Sequence, residues 1–318
     1  MPISRAEAYA PATVANLGVG FDVLGLALDR PGDLITAEWG EAPGVTIAAI
    51  EGDDGRLPRD PAKNTAGAAA ASVLRLAGEM RGVKLTITKG LPSASGLGSS
   101  AASAVGAALA VNTLIGEPFT RGELLPACLD GEAIASGYHA DNIAPCLFGG
   151  ITLAYGLTSD HIISLPVPAG LWLALVTPAV EVPTRAARAA LPASVPLRTL
   201  VAQTAGIARL VSAIYTNDIA SIAAAMEMDQ VIEPARAHLM PLLGEARAAA
   251  KRAGALGLAI SGAGPTLIAV CNLESAAFAA ADAMALLYTE AGFDNSTQVT
   301  TISTAGAEVR GVTEAAGL

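Results

Sequence analysis

The sequence predicts a two-domain protein of the α+β class, and three observations carry that prediction. The chain has 318 residues, a length that suits two domains or one large one. Hydrophobic residues make up 52% and charged residues 15%, so a large core and little disorder are expected. The pattern of elements changes near residue 160, where strands mixed with single helices give way to a buried strand and a run of helices. The expected division is 1–160 and 161–318, with the boundary somewhere in 155–168.

The elements follow from local signals. RAEAYAP, FDVLGLAL, DLITAEW and VTIAAI alternate in a strand-like way, with PATVANLGVG as a loop between the first two. EGDDGRLPRDPAKN (51–64) is charged and rich in Pro and Gly, which marks a surface loop. Asn64 is placed to cap a helix over TAGAAAASVLRLAGEM. VKLTIT (83–88) reads as a strand and KGLP as a turn. A helix then runs to about Ile115 and is closed by Gly116 and Pro118. RGELLPACLDGEAIASG reads as helical despite Pro126, YHADN as a polar knot, and APCLFGGITLAYG as a glycine-interrupted strand. In the second half LWLALVTP (171–178) is a buried strand, 184–252 holds several helices, and GLAISGAGPTLIAV (257–270) is strand–turn–strand. SAAFAAADAMALLYTEAG is a helix and TQVTTIST a last strand.

Composition narrows the function. Aromatics are only 4% and alanine is abundant, so small aliphatic side chains build the core and allow helices to approach sheets closely. A net charge of −10 argues against nucleic acid and acidic membranes as partners, while a local site can still bind a small anion. No apolar run reaches the length of a membrane span without polar breaks, and the N-terminus lacks the pattern of a signal peptide. Cys128, Cys146 and Cys271 are too few and too far apart for a disulfide framework or a zinc site, so a reducing cytoplasm is expected.

The stretch SASGLGSS (93–100) is the strongest candidate for chemistry. A flexible linker is one reading, but strand and helix patterns abut it on both sides. A Walker loop needs a lysine before its terminal Ser or Thr, and the loop has none. GLGSSA fits the dinucleotide fingerprint G-x-G-x-x-A, yet KGLPSAS separates it from the preceding strand. The remaining reading is a polyphosphate loop. Its glycines let backbone N–H groups approach the ligand, and the following helix adds free donors and the positive end of its dipole. Ser99 and Ser100 could offer a hydroxyl to phosphate or magnesium, or could simply cap the helix.

Other residues have two readings each. Glu132, in the apolar stretch GEAIASG, is either a metal ligand or a solvent-facing helical carboxylate. YHADN could contact a polar substrate or make Asx turns. Asn16 and Asp22 flank a glycine-rich turn, where turn chemistry alone could explain them. Thr184 and Arg188 lie one turn apart on a predicted helix, and Arg236 follows EPA; arginines in pairs suit a carboxylate, whereas single ones are commonly surface residues. SGAGPT (261–266) is a second glycine-rich turn or a plain hairpin.

In order along the chain, PATVANLGVGFDVLG, LPSASGLGSSAA, HADNIAPCLFGG and AISGAGPTLIAV resemble the GHMP kinase superfamily, which includes galactokinase and the homoserine, mevalonate and phosphomevalonate kinases. The A-P-A-x-x-A-N-x-x-x-G-F-D opening, the H-x-D-N-x-A-P-x-x-x-G-G block, PTRAARAALP and EPARAHLMP are most similar to the homoserine kinases. The resemblance covers residues 8 to 310.

That resemblance implies an N-terminal domain like domain 2 of ribosomal protein S5, a C-terminal ferredoxin-like domain, and ATP between them. Pro92, Ser95, Gly96, Leu97, Gly98, Ser99, Ser100 and Ala101 would cradle the phosphates, with Asn64 near the adenine. Ser99 or Ser100 would hold Mg2+ together with Glu132. Asn16, Asp22, His139, Asn142, Thr184, Arg188 and Arg236 would surround L-homoserine, with Asp22, Arg188 and Ser99 acting at the reacting groups. The reaction would be ATP-dependent phosphorylation of L-homoserine to O-phospho-L-homoserine, a precursor of threonine, in a homodimer. A GHMP kinase with a different acceptor alcohol is the alternative. The sequence shows no aspartate–lysine pair of the kind credited to mevalonate kinases, so a phosphate oxygen or water is expected to take the proton. Ala94 stands where many relatives have Gly, and the Glu132-to-His139 spacing is a residue shorter than in some.

Overall fold

The period-two burial of Ala6, Ala8, Ala10 and Ala12 fixes one face of the first strand on the core. The computed structural model describes residues 3–315. Strand β1 (Ile3–Ala15) pairs antiparallel with β2 (Leu24–Gly40) as a long hairpin. Strand β1 takes in PATVA, read from the sequence as loop, and β2 joins two segments read as separate strands. β3 (Val45–Glu51), α1 (Thr65–Ala77) and β4 (Gly82–Thr88) form a parallel crossover. Asn64 caps α1, accepting from the Ala66 and Gly67 N–H groups, as expected.

Helices α2 (Ser99–Leu114), α3 (Arg121–Glu132) and α4 (Ala140–Phe148) follow, then β5 (Ile151–Ala154) and β6 (Ile162–Leu165). Every residue of α2 from Ala101 to Leu114 is buried. Small residues permit this: a Cβ at Gly106 would stand 2.6 Å from the Ile35 side chain of β2. The capping box of Thr120 and Glu123 starts α3, which tolerates Pro126.

The second half contains β7 (Trp172–Pro178), α5 (Thr184–Ala189), α6 (Leu197–Tyr215), α7 (Ile219–Met226), α8 (Ile232–Arg236), α9 (Leu243–Arg252), β8 (Gly257–Ile260), β9 (Leu267–Cys271), α10 (Glu274–Glu290), β10 (Asn295–Thr300) and β11 (Glu308–Glu314). One sheet has the order β11-β1-β2-β4-β3, with β5 on β2 and β6 on β5; the other is β10-β7-β9-β8. Strands β6 and β11 therefore carry the first sheet past residue 160. No helix among the described residues is long and apolar enough to cross a membrane.

Two readings need correction. APCLFGGITLAYG is not one strand: its first part is helix α4, and β5 begins only after Gly149 (φ 81°) and Gly150 (φ 67°) turn the chain. Pro145 inside α4 has no N–H for the carbonyl of Asp141, four residues back. That carbonyl packs instead where a Cβ on Gly25 would lie, 1.8 Å away, so glycine at 25 makes the contact possible. Strand β11 was not foreseen; its burial is slight, and partnership with β1 rather than hydropathy defines it.

Candidate active site

The loop between β4 and α2 meets both halves of the molecule, and three of its successive carbonyls are held by groups outside it. Ser95 O accepts from Thr266 N (3.2 Å) and Thr266 Oγ1 (2.6 Å). Gly96 O accepts from Ser261 Oγ (2.7 Å) and Leu97 O from Thr13 N (3.1 Å). Among the described residues, no acceptor is found for the N–H groups of Ser95, Gly96, Leu97, Gly98, Ser99 and Ser100. A helix N-terminus with free donors stands behind them. Gly98 (φ 64°) has no room for a side chain, since a Cβ there would lie 1.9 Å from Thr13 Oγ1. Ala94 has φ 53°, a left-handed conformation that would suit glycine better than alanine.

The loop borders a cavity of about 380 Å³ that also takes in Asn16, Asp22, Asn64, Glu132, His139, Asn142, Thr184, Arg188 and Arg236. Of the expected loop residues, Ser95, Gly96, Gly98, Ser99 and Ser100 line it; Pro92, Leu97 and Ala101 do not. SGAGPT is indeed the turn of the β8–β9 hairpin, and it is also a wall of the cavity, through Gly262, Ala263 and Gly264.

Glu132 ends α3 and is 3% exposed. Its Oε1 accepts from Ser100 Oγ (3.0 Å) and Ser136 Oγ (2.5 Å), while Oε2 is buried without a partner. Burial pushes its carboxyl up to about 7, against the pull of the two serine hydroxyls. Ser99 faces differently: its hydroxyl donates to Leu91 O at 3.3 Å.

Asp22 (φ 58°), Asn16 (φ 76°) and Leu17 (φ 46°) share a loop with left-handed backbone, a costly conformation for leucine. Asn16 holds it, accepting from Asp22 N (3.1 Å) and donating to Gly262 O (2.9 Å). Arg188, one turn from Thr184 on α5, binds Asp22 bidentately at 2.8 and 3.1 Å. Arg236 is 3% exposed; Nε donates to Ala187 O and Nη1 to Gly262 O, each at 3.1 Å. No carboxylate among the described residues forms an ion pair with it. Both guanidinium groups lie near the Phe21 ring, Arg188 Cζ at 5.6 Å and Arg236 Cζ at 5.1 Å from its centroid.

His139 Nδ1 lies 3.9 Å from Asp22 Oδ1, and burial together with Arg188 lowers its pKa, so it is neutral at pH 7. Tyr138 turns outward to Asp130 Oδ1 (3.1 Å). Asn142 Oδ1 accepts from Thr13 Oγ1 at 2.7 Å. Asn64 lines the cavity, but its side chain is occupied by the α1 cap and by Pro58 O (2.9 Å).

Two further groups belong to the site, the first inside the YHADN stretch but given no role from the sequence. Asp141 lines the cavity, is 4% exposed and leaves Oδ1 without a partner; burial, then Asp22 and Glu132, push its carboxyl up to about 7. It sits in the first turn of α4, between Ala140 and Asn142, where the helix start places it against the cavity. The second is an aspartate–lysine pair, Asp33 and Lys89, which lies 56 residues apart in sequence and is buried behind the loop.

Comparison with known proteins agrees with this geometry. The family profile described as "GHMP kinases N terminal domain" matches residues 64–150, and "GHMP kinases C terminal" matches residues 210–289. A homoserine kinase from Xylella fastidiosa (strain M12) is 42% identical over 306 residues, 96% of this chain and 94% of that protein. One from Chlorobium phaeovibrioides is 39% identical over 287 residues, 87% of this chain and 89% of its own length. The crystal structure of homoserine kinase from Cytophaga hutchinsonii superimposes with a TM-score of 0.92 at 40% identity, covering 96% of this chain and 98% of that one. Mevalonate kinase from L. major shares the fold at 16% identity and TM-score 0.72, over 93% of this chain and 96% of its own. The chain belongs to the GHMP kinase family and falls among its homoserine kinases.

Proposed function

We propose that the chain transfers the γ-phosphoryl group of ATP to the side-chain hydroxyl of L-homoserine. The observation that carries this reading is a receptor of two signs beside an anion cradle. Among the described residues, Arg236 is a buried cation without an ion-pair partner and Asp141 a buried carboxylate with an unpartnered oxygen, both on one cavity. A zwitterionic amino acid satisfies both: its carboxylate pairs with Arg236, and its ammonium with Asp141 and Asp22. An uncharged sugar satisfies neither.

The polyphosphate lies on the free N–H groups of the loop and the start of α2. Glu132 Oε2 and the Ser100 hydroxyl are hard oxygen donors that suit Mg2+, whose remaining ligands come from phosphate and water. Held there by these two oxygens, Mg2+ would supply neutralisation of charge on the transferring group. Ser99, bonded to Leu91 O, is the less suited of the two serines. In the reaction the hydroxyl oxygen forms a bond to the γ-phosphorus, the bond to the β–γ bridging oxygen breaks, and ADP leaves. The hydroxyl proton passes to an oxygen of the transferred group. Asn142 and neutral His139 stand by to orient the hydroxyl.

The test compares homoserine with 4-hydroxybutyrate, which lacks the ammonium, and 3-aminopropanol, which lacks the carboxylate. The reading predicts that each loses at least tenfold in kcat/KM. Equal turnover of all three would refute it.

A further inference from the structure

The charged pair behind the loop does more than fill the core. We propose that Lys89 and Asp33 are positioning residues for the phosphate cradle: one buried ion pair fastens both ends of loop 90–99 and so holds its N–H groups toward the cavity. The inference rests on the assignment of that loop to phosphate.

The geometry is specific. Lys89 and Asp33 side chains are 2% and 0% exposed. At the entry to the loop, Asp33 Oδ1 accepts from Gly90 N (3.1 Å) and Leu91 N (3.2 Å). At the exit, Lys89 Nζ donates to Ser99 O (3.0 Å), the carbonyl of the first residue of α2. The same ammonium reaches Asp33 Oδ2 and Ser103 Oγ (2.9 Å), and Ser103 donates back to Asp33 Oδ2 (3.0 Å).

An ammonium has three protons, and all three are used within this cluster. Lys89 borders the cavity, yet it has no proton left for a phosphate. Its effect on the ligand is therefore indirect: it sets the direction of the first turn of α2, whose free donors do the binding. A buried ion pair adds little net stability compared with apolar side chains of similar size, so stability alone is a weak reason for placing one here. A pair that sets loop geometry gives it a reason.

The experiment measures ADP affinity by calorimetry and steady-state constants for both substrates. Its main variant is the double substitution Asp33→Asn with Lys89→Met. Asparagine keeps an acceptor for the Gly90 and Leu91 N–H groups, and no lone charge stays buried. The expected result is a melting temperature near that of the wild type, at least a tenfold loss in ADP affinity and rise in ATP KM, and a homoserine KM within threefold. Unchanged ADP affinity in a folded double variant overturns the inference, as a purely structural pair would leave it. If that variant does not fold, Lys89→Arg and Ser103→Ala carry the test, since both keep the charge balance. Each should raise the ATP KM threefold or more, and wild-type values in both overturn the inference. A wild-type protein that binds no ADP refutes the loop assignment itself, which is a separate result.

Discussion

Arg188 holds both carboxylate oxygens of Asp22, at 2.8 and 3.1 Å, from a helix 166 residues further along the chain. The pair has two consequences for the site. It occupies the arginine that the sequence offers first as a carboxylate clamp. It also leaves Arg236 as the cation without a carboxylate, buried beside Phe21. On the proposed reading, an incoming amino acid would exchange charges with this existing pair, and its carboxylate would go first to Arg236.

Replacing Arg236 with Met should therefore act on the amino acid and not on the nucleotide. A charge-assisted hydrogen bond contributes about 1.5–3 kcal/mol, so the homoserine KM should rise about 10- to 150-fold. The ATP KM should stay within about twofold. Initial rates with each substrate varied in turn give both constants. An unchanged homoserine KM removes Arg236 from the substrate site.

Asp141→Asn should weaken discrimination by the ammonium. The variant keeps the size of the side chain and loses its charge. The preference for homoserine over 4-hydroxybutyrate should fall severalfold, because one of the two carboxylate contacts that only homoserine makes is lost. Competition between the two acceptors in one reaction measures the ratio. A ratio equal to that of the wild type would assign the ammonium to Asp22 alone.

Glu132 predicts a pH dependence with a definite sign. Its carboxyl titrates at about 7 when folded, against an ordinary 4.5. The folded protein therefore holds a proton that the unfolded chain releases between those values, and stability falls as pH rises through that window. The shift corresponds to about 3 kcal/mol above pH 7. Asp141, also raised to about 7, contributes in the same direction. Glu132→Gln should flatten the fall in melting temperature between pH 5 and pH 8 and abolish magnesium-dependent turnover. Magnesium with nucleotide should restore stability at pH 8 in the wild type and fail to do so in the variant. Calorimetric scans across that range decide it.

How much of this was legible beforehand depended on how local each signal is. The Asn64 cap, the glycine loop and the hairpin at SGAGPT are set by neighbours in sequence, and each sits where the residues place it. The phosphate loop could be read because its glycines and serines are contiguous. Asp33 and Lys89 could not be paired, because strand β2 and the end of β4 bring them together only after the sheet forms. Strand β11 was hidden for the same reason, since its partner lies about 300 residues away across the chain. Helix α4 was missed because the pair of glycines that follows it reads as an interruption of a strand. The bidentate grip of Arg188 on Asp22 likewise depends on a contact between halves of the molecule.

Ala94 offers a test of backbone strain free of chemistry. Its φ of 53° puts a β-carbon in the left-handed region, which costs about 1–2 kcal/mol, whereas glycine loses about 0.5–1 kcal/mol of that gain in chain entropy. Ala94→Gly should raise stability by about 0.5–1 kcal/mol by urea denaturation. Destabilisation would mean that the left-handed turn at 94 is not held in solution.

The most direct test of the central claim is a single acceptor panel. The purified protein is incubated with ATP, Mg2+ and equal concentrations of L-homoserine, mevalonate, galactose and shikimate, and the phosphorylated products are identified by phosphorus NMR. The account predicts one product, O-phospho-L-homoserine, and no turnover of it when Glu132 is replaced by Gln. Preferential phosphorylation of any of the other three alcohols would contradict it.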